Sequence, residues 1–308
     1  MIKMLGIGDN VVDINYTTKI IYPGGNCINF AIFGKEIGND TAYLGTLSND
    51  ELSYVIINAL KKYNIDYSQC PIIKGAETGR CGINLDKGDR IITEENYGGV
   101  CRTNPIKITG RLLEYIRTFD VVSSNCFSYI EDQLKIIKDT QTLLVYDFSN
   151  YWEVDTFENV CPNIDIAFLS GKEHDNEYLE KLLKHIVNDL KCSMAIATMG
   201  KRGAMVYNGN KIFYKSPYNI QGNVIDTTGA GDSFLVGFIS AYIQNIKTFN
   251  SFLKKELLND ILLSEDKEDF YNNLIEFSLC NGNWLARKNC MIQGSFGLGL
   301  EFCKLNYF

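Results

Sequence analysis

The stretch NVIDTTGAGDSF, residues 223–234, sets a carboxylate, Asp232, directly after three small residues, Gly229, Ala230 and Gly231. Without side-chain bulk the backbone can turn sharply there and bring its N–H groups within hydrogen-bonding distance of an outside anion. An apolar, strand-like run precedes the bend. Phe234, Leu235, Phe238, Ile239, Tyr242 and Ile243 then recur at helical spacing, which puts Asp232 in a first turn, beside the positive end of the helix dipole. Taken alone, the same pattern also fits a capped helix with no ligand.

A second group lies near the start. YPGGNCINFAIFGKEIG (22–38) places Gly24 and Gly25 before an amphipathic helix, with Asn26 and Asn29 near its first turn. A glycine pair lets a polyhydroxylated ligand rest against backbone, and an amide both donates and accepts, as sugar hydroxyls require. An ordinary loop with an asparagine cap is the other reading. GIGDNVVDIN puts Asp9 and Asp13 at the end of the first strand, where sheet proteins of this class bind ligands, and either could accept from hydroxyls. The same segment is no dinucleotide fingerprint, because Val11 stands in place of the third glycine and no acid follows about 20 residues later to hold a ribose. Neither a Walker A loop nor a G-x-S-x-G elbow is present. The two histidines, His174 and His185, read as a solvated helix-start residue and a surface residue of the same helix, leaving histidine catalysis few candidates.

Such residues need a frame to converge. Strand-like runs alternate with helical patterns: MLGIG, a helix near 26–37, TAYLGTL, a helix near 50–63, DVVSSN, a helix near 131–139, LLVYDFS, IDIAFLS, a helix near 176–190, and MAIATMG. This alternation implies a mainly parallel sheet with helices on both faces. Residues 79–99 interrupt it as a hairpin around DKGD, and 201–216 as a second hairpin at NGN. Helical character returns from about 231 to 245 and near 268–288, and the polar stretch 244–273 reads as a surface insertion.

The 308 residues suffice for one large α/β domain or two smaller ones, and a net charge of −7 leaves no basic face for nucleic acid. Ten cysteines without a C-x-x-C pair or zinc spacing read as reduced core thiols. The apolar start is too short for a signal-peptide core and no stretch holds 18 uninterrupted apolar residues, so a cytoplasmic protein with no membrane partner is expected.

GGNCINFA and DTTGAGDSF together resemble the two signatures of the ribokinase-like, or PfkB-type, sugar kinase family, and TMGKRGA (198–204) looks like that family's nucleotide-binding strand and turn. The likeness covers nearly the whole chain. It implies a single domain over 1–308, an α/β fold that is a ribokinase-like three-layer α/β/α sandwich with a mainly parallel central sheet, and a small β lid. The lid is expected in reduced form, as the 79–99 hairpin and a partner near 14–21, because only ten residues separate Asp13 from Gly24. Asp232 is implied as the base that takes a proton from a sugar hydroxyl attacking the γ-phosphate of ATP, with Gly229, Ala230 and Gly231 as its anion hole.

On the same resemblance the sugar meets Asp9, Asp13, Gly24, Gly25 and Asn29, and the nucleotide meets Thr198, Gly200, Gly203, Thr228 and Asn281. Mg²⁺ is implied as cofactor; LSGKEHDNE lacks a clean form of the family's Asn-x-x-Glu, leaving Glu173 and Asp175 as the nearest ligands. In YDFSNYWE (146–153), Ser149 replaces the asparagine of the family's D-x-N. A monovalent cation such as K⁺ and a homodimer are further expectations. Within the family the chain looks most similar to the branch that phosphorylates fructosamines such as fructoselysine on a primary hydroxyl, with Arg80 or Tyr97 near the amino-acid arm and Arg90 a second cation for a carboxylate. Fructose, ribose or a nucleoside as substrate, and a sugar-binding module without catalysis, are the alternatives.

Overall fold

Short apolar runs bounded by turns become strands, and the longer periodic segments between them become helices. The computed structural model describes residues 1–219, 224–254 and 264–304. In chain order the first half holds β1 (Lys3–Ile7), β2 (Val11–Asn15), β3 (Ile20–Gly24), α1 (Asn26–Glu36), β4 (Asp40–Leu44), β5 (Leu47–Ser48), α2 (Glu51–Lys62), β6 (Ile72–Ile73), β7 (Gly79–Asp86), β8 (Asp89–Glu94), α3 (Gly99–Thr103), α4 (Gly110–Ile116), β9 (Val121–Asn125), α5 (Leu134–Lys138) and β10 (Leu143–Asp147). The second half adds α6 (Val154–Val160), β11 (Ile166–Ser170), α7 (Asn176–Asn188), β12 (Met194–Thr198), β13 (Ala204–Tyr207), β14 (Ile212–Lys215), α8 (Ala230–Lys254), α9 (Ser264–Asn289) and β15 (Leu300–Glu301).

The main sheet runs β14-β13-β12-β11-β10-β9-β1-β4, parallel from β12 through β4, with the β13–β14 hairpin antiparallel at one edge. Its strands are buried on both faces, so neighbouring residues enter different cores. Met4, Val121, Val145 and Phe168 pack on the side of α1 and α8, while Leu5, Val122, Leu144 and Leu169 pack on the side of α4 to α7. The result is a three-layer α/β/α sandwich. Helix α1, expected as amphipathic, is buried on every side from Cys27 to Gly34, Asn29 included, because it lies between the sheet and α8.

A second, five-stranded sheet, β15-β3-β2-β7-β8, stands at one end. The lid expected as one hairpin and a short partner is wider: residues 14–21 are the centre of a full β2–β3 hairpin over Val11–Gly24, which pairs with β7 on one side and β15 on the other. The polar 244–273 stretch is also not a plain insertion, since α8 continues to Lys254 and α9 begins at Ser264; residues 255–263 lie outside the described chain. The apolar run before the GAGD bend forms no strand at 224–227, and Asn223 is outside the described residues. Of the cysteines expected in the core, five are buried, four half-buried, and Cys303 is exposed. No described helix is long and apolar enough to cross a membrane.

Candidate active site

Strand order reverses at β1, with β4 on one side and β9 to β12 on the other, and ligands in open α/β sheets sit at the carboxyl ends of strands near such a switch. A cavity of about 980 Å³ opens there, lined by the residues just past β1, β10, β11 and β12 and by the N-termini of α1 and α8.

The first wall is the start of α1. Its N-cap is Gly25, at φ 102°, which has no side chain to satisfy the orphan amides. Asp9 does so from β1: Oδ2 accepts the Asn26 N–H at 3.1 Å and Oδ1 the Cys27 N–H at 3.0 Å, while Asn125 donates to Oδ1 at 2.5 Å. Asp9, expected to meet sugar hydroxyls, thus reaches the cavity wall with most of its accepting capacity spent, on α1 and on Asn125. From that capped turn Asn26 donates to Asp147 at 2.8 Å and Asn29 donates to Asp232 at 2.7 Å.

The second wall is the start of α8. Ala230 donates its N–H to the Thr227 carbonyl, and Ser233 donates to the Gly229 carbonyl. Among the described residues the amides of Gly229, Gly231 and Asp232 have no such partner, so the open donors at this helix start differ from the expected trio by exchanging Ala230 for Asp232. A Cβ on Gly231 would meet open space, and Gly231 lines the cavity.

Four of the carboxylates that line this enclosure, Asp9, Asp13, Asp147 and Asp232, have raised proton affinities. Burial raises all of them: Asp232 to about 6, against the Asn29 hydrogen bond; Asp13 to about 6, against the charge of Arg90; Asp147 to about 7, helped by the charge of Asp232; and Asp9 upward despite its hydrogen bonds.

Other expected residues scatter. Asp13 lies not at the end of the first strand but mid-β2, beside Cys81 of β7, 5% exposed and facing the cavity. Gly25 and Asn29 line the cavity; Gly24 does not, and a Cβ there would stand 2.6 Å from Asp13 Oδ2. Arg80 sits on the opposite face of β7 from Cys81, and Tyr97 is exposed beyond β8, so neither borders the cavity, whereas Arg90 and Asn96 do.

Thr198, Gly200 and Gly203 line the cavity. Thr228 is buried away from it and Thr227 lines it instead; Asn281 turns its carbonyl against Gly237 of α8, and Asn283, two residues on, takes the lining place. Asp175 does not line it, because its carboxylate caps α7 by accepting the Tyr178 N–H at 2.8 Å; Glu173 does. His174 is not simply solvated: it stacks between Trp152 and Tyr178, each ring 4.8 Å away, and borders the cavity. His185 pairs with Asp189 on α7. The Phe127–Tyr151 pair, which also lines the cavity, carries no local signal; Asn26 and Asp147 lie in stretches the sequence marks, but their pairing spans 121 residues and shows in neither.

Two cations can be tested against these donors. No group of three or more His, Cys, Asp or Glu converges among the described residues, but Mg²⁺ that arrives with substrate phosphates needs only one or two carboxylates, and of the two expected ligands Glu173 lines the cavity and would supply one. Asp226 presents a different case. Its carboxylate accepts the Thr228 and Gly294 N–H groups, and Thr228 Oγ1, Asn289 Oδ1 and Ser295 Oγ, joined to this junction, are buried without a partner among the described residues. A carboxylate with orphaned neutral oxygens suits a hard cation of low charge.

The tip of the β7–β8 hairpin closes over the bend: the Gly88 carbonyl accepts the Thr227 N–H at 3.1 Å, and the Arg90 N–H donates to Thr227 Oγ1 at 3.2 Å.

Residues 12–252 match the pfkB family of carbohydrate kinases. The chain is similar to a fructosamine kinase of Bacillus subtilis, 29% identical over 305 residues, covering 97% of this chain and 95% of that one. It is similar also to a fructoselysine 6-kinase of Escherichia coli, 26% identical over 236 residues, covering 77% and 87% respectively. Among solved structures, a ribokinase of Giardia lamblia superposes with a TM-score of 0.78 at 17% identity, over 98% of this chain and 97% of that one.

Proposed function

This chain belongs to the pfkB family of carbohydrate kinases and is a phosphotransferase acting on a sugar hydroxyl; from that premise we propose that it moves the γ-phosphate of ATP to the primary hydroxyl of a fructosamine such as fructoselysine. The observation that supports the reading is the junction of Asp232, held by Asn29, with the open amides of Gly229, Gly231 and Asp232 at the start of α8. A hydroxyl bound against Asp232 gives up its proton to the carboxylate as its oxygen forms a bond to the γ-phosphorus. The bond from phosphorus to the bridging oxygen of ADP breaks, and the amides meet the charge on the transferred oxygens. Asp232 then returns the proton to solvent. The choice of fructosamine is supported by likeness to two enzymes named for such substrates. A K⁺-like ion at the Asp226 junction and a second copy pairing along β8, an edge strand exposed from Asp89 to Glu94, complete the reading.

The test is ADP release with Mg-ATP and a panel of fructoselysine, fructose, ribose and adenosine, followed by product NMR. Fructoselysine should give the highest kcat/KM with phosphate on the terminal carbon. A tenfold preference for any other member would remove the fructosamine and leave the sugar kinase.

A further inference from the structure

Asn26 and Asn29 are three residues apart on α1, so their side chains leave one face of the helix about 5–6 Å apart. One donates to Asp147 and the other to Asp232. A single rigid helix therefore holds two carboxylates about one turn apart along one wall, a spacing comparable with the two ends of a hexose. Between them Asn29 Oδ1 is buried in the cavity wall without a partner among the described residues, an acceptor open to a sugar hydroxyl.

If the reacting hydroxyl lies at Asp232, the other end of the sugar falls at Asp147. That carboxylate is 4% exposed; one oxygen accepts the Ser149 N–H at 2.7 Å and the other the Asn26 amide, and no lysine or arginine among the described residues forms an ion pair with it. The Arg90 charge acts from the lid on Asp13, Asp232 and Tyr151. Phe127 and Tyr151 also border the cavity, edge to face with centroids 5.4 Å apart, and Tyr151 is 45% exposed at its mouth. A buried, uncompensated carboxylate beside aromatic faces suits an organic ammonium, which supplies the missing charge and attracts the ring quadrupoles.

We infer that Asp147, Phe127 and Tyr151 form a subsite for the secondary ammonium on carbon 1 of a fructosamine, passing the rest of its arm out beside Tyr151. The inference rests on the fructosamine reading and adds the residues that distinguish nitrogen from oxygen at that carbon. A free ketose places a neutral hydroxyl there and leaves Asp147 uncompensated.

The experiment compares 1-deoxy-1-butylaminofructose, its uncharged 1-O-butyl ether and fructose, with wild type, Asp147→Asn, Phe127→Ala, Tyr151→Ala and Tyr151→Phe. Wild type should favour the amine over the ether by about tenfold or more in kcat/KM, as a charge-assisted contact allows. Asp147→Asn should bring that ratio to within about threefold, mainly through KM for the amine, because the contact is remote from the transferred phosphate. Phe127→Ala and Tyr151→Ala should each lower the ratio severalfold and Tyr151→Phe should keep it, as a ring-face contact requires. Should Asp147→Asn not fold, the two aromatic variants decide. A wild type indifferent to amine and ether overturns the fructosamine reading and the subsite together. A wild-type preference that survives Asp147→Asn, or both aromatic truncations where Asp147→Asn does not fold, overturns the subsite alone.

Discussion

A base that works near neutral pH needs a proton affinity not far below it, and burial brings Asp232 to about 6 while Asn29 restrains the rise. Asp232→Asn keeps the shape and loses the basic carboxylate, so turnover should fall by about 10²–10⁴-fold with nucleotide affinity nearly unchanged, checked by steady-state kinetics and calorimetry. For the wild type, kcat/KM should climb as pH rises through about 6 and level off above 7, as the carboxylate loses its proton. Asn29→Leu should move that limb to higher pH, since the bond favouring the charged form is gone. Stability runs the other way. Carboxylates whose affinity is raised on folding bind more protons in the native state, so their contribution to stability diminishes between about pH 4 and 7. The unliganded protein should show a higher thermal midpoint at pH 6 than at pH 8. At this scale the sequence marks Asp232 plainly, because small residues, carboxylate and helix start are contiguous. Asp147 is hidden, since its meaning depends on Asn26, which is 121 residues away.

The first turn of α8 separates two glycines with different duties. Gly229 is at φ 74°, and a Cβ there would stand 2.8 Å from Ser295 Oγ, so Gly229→Ala strains both the turn and its seat on the C-terminal loop. Gly231 has open space and faces the cavity. Gly231→Val should therefore leave the thermal midpoint within a few degrees and abolish turnover, whereas Gly229→Ala should lower both; a fluorescence melt beside an ADP assay separates them. Elements with a strong period are legible, and the parallel strands and α1, α2 and α7 fall where the pattern puts them. The rest fails for physical reasons. Polar residues at 244–254 and 264–273 look like loop because α8 and α9 cover each other, and a helix sharing its apolar stripe with one neighbour shows weak periodicity. Strand β15 is two residues long, formed by pairing with β3 and by nothing local.

For the molecule as a unit, the lid tip and the GAGD loop are joined by two hydrogen bonds at Thr227, and a Cβ on Gly88 would stand 2.4 Å from the Val224 carbonyl. Gly88→Val should hold the hairpin off the loop, raise KM for the sugar by about tenfold, and increase the fraction of ATP lost to water over that transferred, measured as ADP formed per sugar phosphate. The bonds that assemble the site also span the chain: Asp9 to Asn125 across 116 positions, Asn26 to Asp147 across 121, and Asn29 to Asp232 across 203. Contacts of such separation form late, after the entropy of closing long loops has been overcome. During synthesis Asn26 therefore waits, uncommitted, until Asp147 has left the ribosome, and Asn29 until the start of α8 has followed. Refolding from denaturant should recover helical signal well before it recovers kinase activity.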